Sequence, residues 1–137
     1  MQTDLTALIE RVESGDGPDF ELEREIGFAL GIWKRVRIGE RDMLEAGNEI
    51  FLDHPGAIYP ALLESLDAVL SLIGAKLPGW SWSVRHEQSA PVTESWVWED
   101  SPEGWTARGE IDGRQPARAL LAAALRAIQE SRSHDGR

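Results

Sequence analysis

The sequence predicts an α+β fold: an N-terminal αα-hairpin, then a helix, a three-stranded antiparallel meander and a C-terminal helix, with the helices packed on a small sheet. Apolar residues recur at helical spacing in four segments, whereas the tryptophan-rich segments alternate with a period of two. Clusters of Gly, Pro and Asp separate these segments. With 137 residues, 42% of them hydrophobic, the chain has the size of one domain. We expect that domain to span residues 1–130, followed by a frayed tail over 131–137.

The first two helices are predicted to form the hairpin. Helix one runs from about Thr3 to Glu13, capped by Thr3 or Asp4, and the Gly- and Pro-rich residues 14–18 stop it. Asp19 has the position of an N-cap for helix two, and Gly31 the position of its end.

The middle of the chain changes period. Residues 32–38 alternate between apolar and polar side chains and predict a strand. Residues 39–58 give no clear pattern, although residues 50–52 could form a second short strand.

The second half predicts helix, meander and helix. Helix three begins near Tyr59 or Pro60 and ends at Leu77. The predicted strands are 80–87, 95–99 and 105–111, and the last helix is 116–130. This order also occurs in double-stranded-RNA-binding domains, but the last helix lacks the lysine-rich start that such domains use.

Composition excludes several functions. The formal charge of −10 disfavours general nucleic-acid binding, which needs a basic face. The chain has no cysteine, and its three histidines are far apart and lack ligand spacing, so we expect no cofactor and no metal site. No nucleotide-binding loop or catalytic motif is present, and we expect a protein that is not an enzyme. The absence of a long apolar run and of a signal peptide predicts a cytoplasmic protein that does not bind membranes.

Six tryptophans stand out in so short a chain. Trp80 and Trp82 share one strand face, and Trp96 and Trp98 share another. Such indoles could stack a nucleobase or fill the core beneath helices three and four. Because the alternate positions are mostly polar, we expect these four to face inward. The remaining two, Trp33 and Trp105, are then the better candidates for stacking on a ligand.

The arginines form two groups in the sequence. The first group is a basic island in an otherwise acidic half of the chain and consists of Lys34, Arg35, Arg37 and Arg41. The second, Arg108, Arg114 and Arg118, surrounds the predicted start of helix four, where backbone N–H groups attract anions. Either group could bind phosphate or form salt bridges with nearby acids.

Three stretches carry a resemblance to a known family. They are GPDFELEREIGFALG (Gly17–Gly31), YPALLESLDAVLSLIGAKLP (Tyr59–Pro78) and RGEIDGRQPARALLAAALRAI (Arg108–Ile128). Together they resemble an uncharacterised phage and prophage family described as the phage ABA sandwich domain. The resemblance implies helices on both faces of a sheet, a virus-borne accessory protein in a bacterial host cell, and no catalytic residues.

Two function classes follow from these expectations. The first is a binder that sequesters a nucleotide signal of host antiviral defence, with a site that could lie between the subunits of a homo-oligomer. Its ligand-binding residues would be Trp33, Arg35, Arg37, Trp105, Arg108, Arg114 and Arg118. The second is an acidic inhibitor of a host defence protein, a nucleic-acid mimic whose face would be Glu10, Glu13, Asp16, Asp19, Glu21 and Glu25. A structural or assembly role is a third alternative.

Overall fold

The computed structural model contains four helices and two three-stranded antiparallel sheets among the residues it describes. These residues are 4–15, 17–57, 59, 61–86, 89, 91–100, 104 and 106–135, the side chains being described to residue 131. The elements are α1 (Thr6–Ser14), α2 (Phe20–Ala29), β1 (Trp33–Ile38), β2 (Arg41–Ala46), β3 (Glu49–Leu52), α3 (Leu66–Lys76), β4 (Trp80–His86), β5 (Val92–Glu99), β6 (Thr106–Asp112) and α4 (Pro116–Asp135). The predicted α+β class and the order of its elements are confirmed.

The N-terminal hairpin forms as predicted, with one difference at its start. The Asp19 side chain accepts a hydrogen bond from the backbone N–H of Leu22, so the predicted cap of α2 is confirmed. The N-cap position of α1 is Leu5, which has no side-chain cap. The carboxylate of Asp4 instead accepts from Thr6, and Thr3 lies outside the described residues.

The first sheet, β1-β2-β3, contains the strand predicted over residues 32–38 and the possible short strand at residues 50–52, and it adds β2, which the sequence did not indicate. Its strands pair in order, with Arg35 opposite Leu44 and Leu44 opposite Phe51. Gly39 and Gly47 adopt positive φ angles of 64° and 61° in the two hairpin turns, where glycine is favoured. One face of this sheet, its inner face, is closed by a small aromatic core of Phe20, Phe28, Trp33, Phe51 and Tyr59.

Helix α3 begins later than predicted. Ser65 caps it by accepting from the N–H of Ala68, and residues 62–64 form a turn before it. Pro60 lies outside the described residues. Leu62 and Leu63 are buried from this turn, so the apolar pattern begins before the helix itself does.

The second sheet, β4-β5-β6, carries the main core on its inner face. Helix α4 lies against that face, and α1 and α3 pack beside α4. Ser95 donates a hydrogen bond to the carbonyl of Ala119, and Gly109 allows the helix backbone to approach, since a Cβ there would lie 2.2 Å from the same carbonyl oxygen. The helix continues to Asp135, past the predicted end at Glu130. Among the described residues no helix lies on the opposite, outer face.

Candidate functional site: a partly exposed tryptophan platform

Two tryptophans lie on the outer face of the second sheet. Along β5 the residues Thr93, Ser95 and Val97 are buried beneath α4, while Trp96 and Trp98 alternate with them and are partly exposed. Because neighbouring side chains in a strand point to opposite faces, both indoles lie on the side that no described helix covers. We call Trp96, Trp98, Arg85 and Arg108 the tryptophan platform.

Arginines flank Trp96. The guanidinium of Arg85 lies over the Trp96 ring, 6.0 Å from its centroid, in cation–π geometry. On the other side, Arg108 is the direct cross-strand partner of Trp96. Arg108 Nη2 is 3.3 Å from Glu94 Oε2 and 3.4 Å from Glu110 Oε2, which holds the guanidinium over this face.

Trp98 has smaller neighbours. Its cross-strand partners are Ser81 on β4 and Thr106 on β6. Neither side chain is large enough to cover an indole ring. Trp98 is partly exposed, as Trp96 is, and lies one diagonal step from Arg108, a separation of about 7–8 Å in a sheet.

The prediction that all four strand tryptophans face the core is wrong for Trp96 and Trp98. The inner face of β5 needs small side chains because α4 packs too closely for an indole, as Gly109 also shows. Trp80 and Trp82 do lie on the inner side, opposite Glu99 and Val97. Trp80 packs against the main core, whereas Trp82, on the edge strand, is 41% exposed.

Trp33 is not on the surface. It is 3% exposed and makes edge-to-face contacts with Phe51 and Tyr59. A Cβ at Gly27 would lie 2.4 Å from its ring, which shows how closely α2 covers it. The expectation that Trp33 lacks a place in the core is therefore wrong. Trp105 lies outside the described residues.

Arg35 and Arg37 are exposed on β1, away from the platform. The guanidinium of Arg35 lies 4.9 Å from the centroid of Phe28, and Arg37 forms an exposed ion pair of 3.4 Å with Asp42. Strand alternation splits the basic island, since Lys34 and Arg41 point to the opposite face of the sheet.

The second arginine group is not assembled as predicted. Arg108 belongs to the outer face of β6, while α4 lies on the inner face. Arg114 is exposed just before α4, beside a cavity of about 290 Å³.

Arg118 is 1% exposed and has a structural position. Its guanidinium donates to the carbonyls of Arg11, Val12 and Gly17, at the end of α1. The carbonyl of Val12 belongs to the last turn of α1, where a helix end leaves carbonyl groups without intrahelical partners. The expectation that Arg118 faces a ligand beside Arg108 is therefore wrong.

The acidic face is partly neutralised. Glu13 pairs with Arg126, and Glu25 pairs with Arg11. Asp19 is used as a helix cap, and Asp16 lies outside the described residues. Glu10 and Glu21 are exposed. Because Glu13, Glu25 and Asp19 have partners within the chain, the described residues do not form a continuous acidic surface.

A separate cavity of about 540 Å³ lies between the first sheet and α3. It is lined mainly by apolar and small residues, including Trp33, Leu72 and Ala75, and its charged residue is Glu49. Its volume suits a small molecule. An apolar wall with a carboxylate does not suit a phosphate, so this cavity and the platform favour different ligands.

Comparison with known proteins gave no match to a family model, a curated protein or a solved structure. The resemblance to the phage ABA sandwich domain therefore stays a prediction. Within the described part of the chain, no helix is long and apolar enough to span a membrane. The same part contains no group of three His, Asp or Glu side chains that could hold a metal ion.

Proposed function

We propose that this protein binds a nucleotide-like small molecule on the tryptophan platform and does not convert it. The observation that supports the proposal is the pair of indoles, Trp96 and Trp98, on a sheet face with no described helix over it, next to two arginines. Aromatic side chains on an uncovered antiparallel sheet are a common way to stack bases.

The platform suggests a division of roles. Trp98 is partly exposed and would stack the base, because its cross-strand partners Ser81 and Thr106 are small. Among the described residues, no arginine lies over the Trp98 ring as Arg85 lies over Trp96. Arg108 would bind phosphate, since a guanidinium fork fits phosphate oxygens. Trp96 is already covered by Arg85 and would hold that arginine in place.

The charges favour a small ligand over a nucleic-acid strand. The platform arginines have Glu94 and Glu110 beside them. The whole chain has a formal charge of −10. A long polyanion would meet repulsion outside the platform, because strand binding depends on many basic contacts.

A sequestering role is the form of this function that fits the predicted origin. A virus-borne protein that binds a nucleotide signal inside a bacterial host cell would lower the free concentration of that signal. Such a role needs affinity and abundance, and no catalytic group. The origin rests on the sequence resemblance alone.

The test is isothermal titration calorimetry of the purified protein with mononucleotides, cyclic nucleotides and ADP-ribose. We expect at least one to bind, and we expect Trp98→Ala to weaken its binding about fivefold or more, since a stacked base contributes about 1–3 kcal/mol. Arg108→Ala should weaken ligands that carry phosphate and have little effect on the corresponding nucleoside.

Two matched controls keep this test specific. Trp82→Ala removes an indole that is 41% exposed on the other side of the sheet, and Arg114→Ala removes an exposed arginine away from the platform. Both should leave the affinity unchanged. Equal losses in Trp98→Ala and Trp82→Ala, or no binding by any nucleotide, would contradict the proposal. In the second case the acidic inhibitor becomes the function to test, by charge reversal at Glu10 and Glu21.

A further inference from the structure

The outer face of the first sheet is apolar. Cross-strand pairing places Val36, Met43 and Leu52 in one row across β1, β2 and β3. Ile50 and Ile38 lie on the same face, one step along their strands on either side of this row. We call these five residues the apolar face.

The apolar face is open to solvent in the single chain. Ile38 is 53% exposed, Ile50 is 49% exposed and Leu52 is 41% exposed. Within the described ranges, α2 packs against β1, and the aromatic core lies on the inner face of the sheet. A contiguous group of large aliphatic side chains on an exposed sheet marks an interaction surface.

Charged residues stand at both ends of the central strand on this face. Glu45 lies one row above Met43, and Arg41 lies one row below it. The third charge, Lys34, is the cross-strand partner of Glu45. The face is therefore an apolar centre with a carboxylate at one end of β2 and a guanidinium at the other.

This arrangement is self-complementary for one of the two ways in which two copies can pack face to face. In the first way, the two-fold axis runs perpendicular to the strands and passes through Met43. Each row of one copy then packs against the row on the opposite side of Met43 in the partner. Each Glu45 then faces the partner's Arg41, and the central apolar row meets itself. Lys34, beside Glu45, faces the partner's Ile38. A two-fold axis parallel to the strands would bring each Glu45 against its own copy, with like-charge repulsion.

We propose that the apolar face binds a second copy of this chain, as a two-fold dimer of aligned sheets with the axis across the strands. Sheets packed in this way lie about 10 Å apart with interdigitated side chains. Isologous contact of this kind closes on itself and buries the face in both copies. The tryptophan platform lies on the other sheet, so this dimer does not depend on nucleotide binding.

The size of the face sets the strength of the dimer. Two strands of six residues and one of four cover at most about 20 Å by 14 Å of sheet. The area of this face is well below the ~800 Å² that each partner buries in a standard interface. The dimer should therefore be weak and concentration-dependent, with a rapid exchange between the two species.

The experiment is sedimentation equilibrium of the full chain from about 10 µM to about 1 mM, because an interface below the standard size gives a weak, transient complex. The weight-average mass should rise from one chain toward two. Met43→Lys places like charges on the axis and should weaken dimerisation at least tenfold, which corresponds to about 1.4 kcal/mol. Circular dichroism should show the same fold for this variant.

A charge-swap series identifies the packing. Arg41→Glu and Glu45→Arg should each weaken the dimer, and the double variant should restore it, because both pairs across the axis are then opposite again. Arg37→Glu, on the other face of β1, is the control and should have no effect. A monomer throughout the concentration range, or a double variant no better than the two single ones, would overturn the proposal.

Discussion

Glu23 is a carboxyl group with no exposed surface. Its Oε1 accepts from the N–H of Leu63 at 2.9 Å, and its Oε2 accepts from the hydroxyl of Tyr59 at 2.8 Å. Burial raises the pKa of Glu23 above its usual value of 4.5, and the two hydrogen bonds oppose this shift. Burial, together with the hydrogen bond to the same carboxyl group, raises the pKa of Tyr59. At the residue scale, Glu23 ties α2 to the turn before α3.

The raised pKa of Glu23 predicts a pH-dependent stability. Below about pH 4.5 this carboxyl is protonated in both states. As the pH rises, the unfolded chain loses the proton first, so the contribution of Glu23 falls until the pH passes its folded pKa. Glu23→Gln keeps an acceptor for Leu63 and cannot ionise, so its stability relative to the parent should increase with pH.

Urea unfolding between pH 4 and pH 8 measures this difference in free energy. Each unit by which the pKa is raised corresponds to about 1.4 kcal/mol in favour of Glu23→Gln at the upper end. Glu21→Gln removes one negative charge from the exposed side of the same helical turn and controls for net charge. A difference that is flat across this range would show that the pKa of Glu23 is not raised.

At the scale of elements, the contact between α4 and the second sheet depends on the absence of side chains. A Cβ on Gly109 would lie 2.2 Å from the carbonyl oxygen of Ala119 and 2.9 Å from the backbone nitrogen of Ala123. Backbone atoms cannot move aside as a flexible side chain can. The helix would have to shift away from β5 and β6 to accept even one methyl group.

Gly109→Ala should therefore destabilise the fold by at least about 2 kcal/mol, as overpacking does in a rigid core. Gly74→Ala is the matched substitution, because Gly74 lies within α3 and a Cβ there would meet nothing within 4 Å. This second variant should stabilise the protein by about 0.5–1 kcal/mol through helix propensity. Thermal and urea unfolding of the two variants measure both values, and similar effects in both would contradict the close approach of α4.

The sequence predicted the helices and the second sheet from periodicity and caps, since these signals are local. It did not predict which face of β5 is covered. Alternation shows that Trp96 and Val97 lie on opposite sides, but hydrophobicity favoured burial of the indoles. The signal that would have predicted the covered face lies in other elements. Helix α4 is rich in alanine and position 109 is a glycine, which together indicate close packing of the helix on the sheet. Close packing requires small side chains on the strand face beneath the helix.

The sequence predicted the types of side chain at the candidate site better than it predicted which residues form it. Indoles and arginines were the expected groups, and Arg108 is on the platform, but Trp33 and Arg118 are buried. Their burial comes from contacts with distant parts of the chain, Phe51 in one case and Val12 in the other. Such contacts have no signature in the local pattern of residues.

At the scale of the whole molecule, the two sheets have different surroundings. The second sheet shares one core with α1, α3 and α4. The first sheet closes a separate aromatic core over α2. Each sheet leaves one face open, and the two proposals assign a different kind of partner to each: a small ligand to the second sheet and another copy of the chain to the first.

Because the two cores are separate, the first sheet can unfold locally while the main core stays folded. The first sheet shares few buried side chains with the main core, so it can detach at a cost below that of global unfolding. Its backbone amides should then exchange with deuterium sooner than those of β5, which lies between two strands and beneath α4. If the first sheet forms the dimer interface, its amides should exchange more slowly as the fraction of dimeric protein rises. The first sheet, the least stable part of the monomer, would then be the part that association protects most.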